Sequence, residues 1–155
     1  MAASCDKNEK QFLKHIDKTT EIQCFSIEQY PTKPSKQAAN ELYLLDYKIL
    51  EQIELTDAQQ NDLKTYFLNT ENYTSKVART CPFIGKYAMT FGYENEVLEM
   101  VLSREQCPKA LVRGEKVVFN LDFVESKIEE VFAQWQLKFK NGVEYLTQGF
   151  PFLNL

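Results

Sequence analysis

Residues 83–102 read FIGKYAMTFGYENEVLEMVL, and this stretch decides the fold. Two runs rich in apolar and β-forming residues, 83–91 and 97–102, flank Gly92-Tyr93-Glu94-Asn95-Glu96, which reads as a β-hairpin. A tight loop sets Tyr87, Met89 and Phe91 opposite Leu102, Met100 and Leu98, so one face of the pair is apolar.

Outward from the hairpin, residues 110–112 and 116–119 form a second one, turning at Arg113-Gly114-Glu115. Upstream, residues 21–30 (EIQCFSIEQY) read as a strand that stops at Pro31, and residues 31–40 (PTKPSKQAAN) as a polar loop. Residues 41–55 fit two periods. Leu42, Leu45, Ile49 and Ile53 suit a helix, whereas Tyr43, Leu45, Tyr47 and Ile49 alternate as in a strand. A strand is expected, because a stronger helix signal follows at once. In Thr56-Asp57-Ala58-Gln59 the threonine hydroxyl can accept from the Gln59 amide while the Gln59 side chain reaches back. Leu63, Tyr66 and Phe67 give that helix its apolar face.

A last helix is expected over residues 123–139, where Val124, Ile128, Val131, Trp135 and Phe139 form a stripe. Asp122 and Glu125 would open it, and Asn141-Gly142 would stop it. The apolar tail that follows is expected to pack back on the body. Residues 1–20 read as a polar leader or tether with a possible short helix, and 21–155 as a single domain. Lys7, Lys10, Lys14 and Lys18 fall at helical spacing beside Phe12, Leu13 and Ile16. Asp6, Glu9 and Asp17 offset most of that charge, so no polybasic patch is expected there. The expected class is α+β: an antiparallel sheet of about five strands with two or three helices mainly on one face.

Composition narrows the chemistry. The chain has 155 residues, 44% hydrophobic and 26% charged, with a net charge of −4. That balance is globular, and it argues against nucleic acid, whose binders present a basic face. No apolar run approaches the about 20 residues of a membrane-crossing helix. His15 is the single histidine, and Cys5, Cys24, Cys81 and Cys107 are widely spaced with no C-x-x-C pair, so neither a zinc site nor another cofactor is expected. The five glycines form no phosphate-cradling loop. Among 22 carboxylates nothing marks two as an acid/base pair. Glu129-Glu130 reads as the solvated side of the last helix and Trp135 as core.

Cys81 and Cys107 stand near the open end of the central hairpin, each followed by a proline. Extending the core-face register sets Cys81 opposite Pro108, one residue away from Cys107. A disulfide therefore needs a bulge, expected at Gly92, and would stabilise the fold by about 3–4 kcal/mol. Cys24, inside an apolar strand, is expected to stay a buried free thiol.

Ala2-Ala3-Ser4-Cys5, followed by the polar Asp6-Lys7-Asn8-Glu9-Lys10, resembles the junction of a bacterial lipoprotein, in which the cysteine receives the lipid. Four residues cannot hold a signal peptide, so the resemblance implies a leader already removed. It also implies lipidation of Cys5 and a place in the cell envelope, with the membrane met only through that anchor. The function expected is a non-enzymatic binding protein with a protein partner, of the inhibitor or immunity kind. The alternatives are a carboxylate-dependent hydrolase and a cytosolic protein-interaction domain.

Overall fold

The structure is a computed structural model that describes residues 3–74, 81–104, 106–114 and 117–124, with side chains from residue 7 onward. Alternation in the strands builds its core. Helix α1 (Ala3–Lys18) leads into β1 (Glu21–Ile27), a short hairpin of β2 (Tyr43–Leu44) and β3 (Tyr47–Ile53), and helix α2 (Asp57–Leu68). Strands β4 (Gly85–Tyr93), β5 (Glu96–Ser103), β6 (Lys109–Arg113) and β7 (Val118–Asp122) follow as a meander. They form one seven-stranded antiparallel sheet in the order β2-β3-β1-β4-β5-β6-β7.

Register explains why one face is buried. Ile53, Cys24, Met89, Met100, Val112 and Phe119 stand in successive register across six strands. Ile22, Phe91 and Leu98 make a parallel file beside them. Both helices cover this face: Phe12, Ile16, Leu63, Tyr66 and Phe67 belong to the same buried cluster. The rings interlock edge to face, with Phe12–Phe67 centroids 6.1 Å apart, Phe12–Phe91 6.2 Å and Phe67–Phe91 5.5 Å. Such pairs add about 0.5–1.5 kcal/mol each beyond area burial.

The capping box at α2 forms as read: Gln59 N–H donates to Thr56 Oγ1 at 3.1 Å, and Thr56 N–H to Gln59 Oε1 at 2.9 Å. At the other end Asn72 Nδ2 donates to the Tyr66 carbonyl at 2.7 Å and the Tyr73 hydroxyl donates to the Phe67 carbonyl. These side chains satisfy acceptors that the helix leaves open.

Four expectations change in detail. The sheet has seven strands, partly because residues 41–55 are a hairpin rather than one strand. Its turn is Leu45-Asp46, with φ of 51° and 70°. These residues lack the Asn-Gly signature of such turns. Context holds them there instead: Leu45 packs on a second apolar cluster, and Asp46 accepts from Gln37 Nε2 at 2.9 Å. The central hairpin has its expected register, but its bulge lies between Gly85 and Tyr87, not at Gly92. At Gly85 the Tyr47 ring, the Glu28 carbonyl and Ile27 approach so closely that a Cβ would meet them at 2.9–3.0 Å. The second hairpin turns over Gly114–Val117 rather than at 113–115, where Gly114 N–H meets the Val117 carbonyl at 3.0 Å. Finally, Asp122 ends β7 and opens no helix. Phe123 continues extended and bridges Tyr73, because its ring completes the aromatic core. The rest of the expected last helix, 125–139, lies outside the described residues, as does the tail.

On the opposite face Ile27, Leu44, Tyr47, Ala88 and Val101 form a smaller cluster with Phe25, Leu45, Ile49 and Phe83. The β2–β3 hairpin contributes much of it, and among the described residues no helix lies there.

Truncating Phe12, which has no exposed surface, should cost about 3–5 kcal/mol by chemical denaturation. Leu50→Gln, at a 56% exposed position, should stay within about 0.5 kcal/mol of the parent.

Candidate functional site

Helix α1 is the natural place to begin, because the leader reading and the lipid reading both fall on it. Phe12 and Ile16 are fully buried and, four residues apart, define its inward face. Half a turn round, Lys7, Lys10, Gln11 and Lys14 are exposed and border a shallow depression of 380 Å³. Lys18 continues the row, with Nζ 5.8 Å above the Tyr93 ring. Of the acids expected to offset this charge, the Asp6 side chain lies outside the described residues. Glu9 acts on Tyr73 from the inward side, and Asp17 is exposed on the flank of the row. Helical register thus turns Glu9 away from the lysines, whereas Asp17 stays beside Lys14, three residues away on the same side. Cys5 lies in the first turn of α1, and its side chain is outside the described residues.

The carboxyl end of α1 is fastened to the sheet. His15 Nε2 donates to the Phe91 carbonyl at 2.7 Å, which fixes the ring tautomer, and the imidazole lies 4.9 Å from the Tyr93 ring. Thr20 N–H donates to the Gly92 carbonyl at 2.9 Å, and Lys64 Nζ to the Thr19 carbonyl at 3.0 Å. The single histidine is therefore a fastening of helix to strand. Beside it lies a polar cleft of 350 Å³ between Thr20, Asp57, Asn61 and Lys64. Several of its polar groups are already spent on the fold: Gln60 Oε1 accepts from Ile22 N–H at 3.0 Å, and Thr20 Oγ1 donates to the Gly92 carbonyl at 3.2 Å.

Cys81 and Cys107 form a disulfide, with Cα atoms 5.7 Å apart. The one-residue slip at Gly85 supplies the bulge that the register demanded, displaced from Gly92. The bond ties the chain entering β4 to the turn between β5 and β6, and Cys107 is only 2% exposed.

Other ionisable groups in the interior are held neutral. Burial pushes the Cys24 thiol up to about 12, so it is a poor nucleophile. Burial, with Tyr66 and Glu9 nearby, holds the Tyr73 phenol well above its ordinary value, and burial raises Tyr47 too. At the surface, a hydrogen bond to the Glu96 carboxylate is the main cause that raises Tyr93. Among the described residues no three His, Cys, Asp or Glu side chains converge as a metal site would require. Glu129, Glu130 and Trp135 lie outside the described residues.

The face of the sheet opposite α1 and α2, helix-free among the described residues, is the second candidate surface. Gln23, Thr90, Glu99, Arg113 and Val118 make one cross-strand row on it. Thr90 Oγ1 donates to Gln23 Oε1 at 3.2 Å, and Arg113 Nε donates to Glu99 Oε1 at 2.7 Å. Val118 ends the row, 55% exposed, and Val97, two residues from Glu99, is 58% exposed. Sequence reading missed both surfaces. The signal for the first was the angular phase of the lysines against Phe12 and Ile16, and for the second the polar alternates of the two hairpins.

No family model matches the chain, and neither a curated protein nor a solved structure shows detectable similarity to it.

Two measurements follow from these thiols. Cys81→Ser with Cys107→Ser should lower stability by about 3–4 kcal/mol, read by chemical denaturation. The folded state prefers the Cys24 thiol protonated, so its contribution is complete below the ordinary thiol pKa and is lost as pH rises towards about 12. Unfolding free energy should therefore fall above about pH 9, at up to about 1.4 kcal/mol per pH unit. Cys24→Ala should flatten that slope.

Proposed function

We propose that the protein is a non-enzymatic binding protein of the bacterial cell envelope, anchored by lipid on Cys5 and engaging a protein partner. The observation that carries this reading is the Cys81–Cys107 disulfide. Such bonds persist in oxidising compartments and are rare among cytosolic proteins. The resemblance of residues 2–10 to a lipoprotein junction supplies the anchor.

The helix-free sheet face is the surface assigned to the partner. Beside the smaller apolar cluster it carries a row of polar side chains with exposed Val97 and Val118, and the Arg113–Glu99 ion pair lies in that row. Arginine is enriched at interface hot spots, and a sheet face offers many small contacts rather than a substrate cleft. An inhibitor or immunity role suits a surface that acts by covering another protein. The interior ionisable groups serve this reading as structure, since Cys24 and Tyr73 are protonated throughout the physiological range.

Mass spectrometry of the native protein should show acyl groups on Cys5; an unmodified Cys5 behind a retained Met1 ends the anchored reading. A photo-crosslinker at position 118 should capture one partner in stoichiometric yield, whereas one at position 10 should not. Val97→Glu should abolish that capture while leaving the melting temperature unchanged, because the side chain is exposed. Turnover of an ester, peptide or glycan by the purified protein would favour the hydrolase instead.

A further inference from the structure

We infer that the outward face of α1 is a docking surface for an anionic lipid bilayer, which it meets through Lys7, Lys10, Lys14 and Lys18. Four lysines stand on one side of a helix in a chain whose net charge is −4. From Lys7 to Lys18 the row runs about 16 Å along the axis. Lys7, Lys10, Gln11 and Lys14 are exposed and border a shallow depression of 380 Å³. Asp17, at the flank, is the one described acid of α1 that is exposed.

Charge complementarity selects the occupant. A phosphate-rich surface matches a row of point charges on flexible stems, which need no fixed geometry in what they meet. Nucleic acid would call for aromatic rings interleaved along the basic groups, whereas the Tyr93 ring lies at one end of this row, under Lys18 Nζ. An acidic protein offers fewer and more scattered charges than a bilayer, whose surface potential acts on all four lysines at once. Each lysine near such a surface contributes about 1 kcal/mol, or about fivefold in partitioning. One acyl anchor joined to a basic patch also satisfies the two-signal requirement for firm attachment.

The surface rests on the envelope reading, but its test does not require the lipid. Full-length Cys5→Ala protein is sedimented with vesicles of phosphatidylglycerol and phosphatidylcholine in equal parts, and with phosphatidylcholine alone. Binding is expected to the anionic vesicles only, and to disappear at 0.5 M salt, where screening shortens to about 4 Å. Lys10→Gln with Lys14→Gln should weaken it about 25-fold. Lys33→Gln with Lys36→Gln, an equal charge change at exposed loop positions, should change it less than twofold. Equal losses in both double variants would make the attraction one of net charge and overturn the inference. Failure to bind anionic vesicles would overturn it too, and retention on immobilised polyglutamate in that case would assign the face to an acidic protein. Either failure leaves the acyl group on Cys5 to be decided separately by mass spectrometry.

Discussion

The burial of Phe12 against Phe67, Phe91 and Tyr73 is the contact on which the arrangement turns. A helix laid on a sheet can roll about its own axis until a large side chain finds a hole. Here the hole is walled by α2, β4 and the segment after α2, so one ring fixes the roll of α1 against three elements. Roll then dictates every other position: Ile16 follows into the core, His15 meets the Phe91 carbonyl, and the lysines have only the outward side left. The basic row is thus a consequence of aromatic packing, although it performs no part of that packing.

A second constraint acts at the opposite end of the central hairpin. Gly85 lets the Tyr47 ring and the Glu28 carbonyl press against the backbone where any side chain would intrude. The slip between Gly85 and Tyr87 shifts the register by one residue, and that shift brings Cys107 opposite Cys81. Packing of the smaller cluster and closure of the disulfide therefore depend on the same glycine. The bond in turn ties the chain just ahead of β4 to the turn between β5 and β6.

Much of this was legible in the residues, for identifiable reasons. The alternation of Tyr87, Met89 and Phe91 against Leu98, Met100 and Leu102 specifies a register, because a one-residue slip would expose all six. The capping box at Thr56 is a local hydrogen-bond pattern and needs no tertiary knowledge. The Leu45-Asp46 turn was hidden because its positive φ angles are held by Gln37 and by the second cluster, both remote in sequence. The bulge was placed at the nearer glycine, since nothing local reveals that Tyr47 lies over Gly85. Strand β7 was overrun by a helix signal at Asp122, whose capping potential gave way to the bridge between Phe123 and Tyr73. The surfaces were harder to read than the core. Net charge averages over the molecule, whereas a docking face depends on which charges share an angle.

The two proposed surfaces lie on opposite sides of one sheet, and that placement has a consequence. Helix α1 sits on the face of Cys24, Met89 and Met100 with its lysines directed away from the strands. Gln23, Thr90, Glu99 and Arg113 point the other way, because successive side chains alternate across a sheet. A molecule resting on a bilayer through α1 would present the helix-free face outward, clear of the headgroups by the thickness of a helix and a sheet. A partner could then reach Val97, Val118 and the Arg113–Glu99 pair without displacing the membrane contact. On these two proposals, a layer of packed methionine and phenylalanine would stand between attachment and recognition.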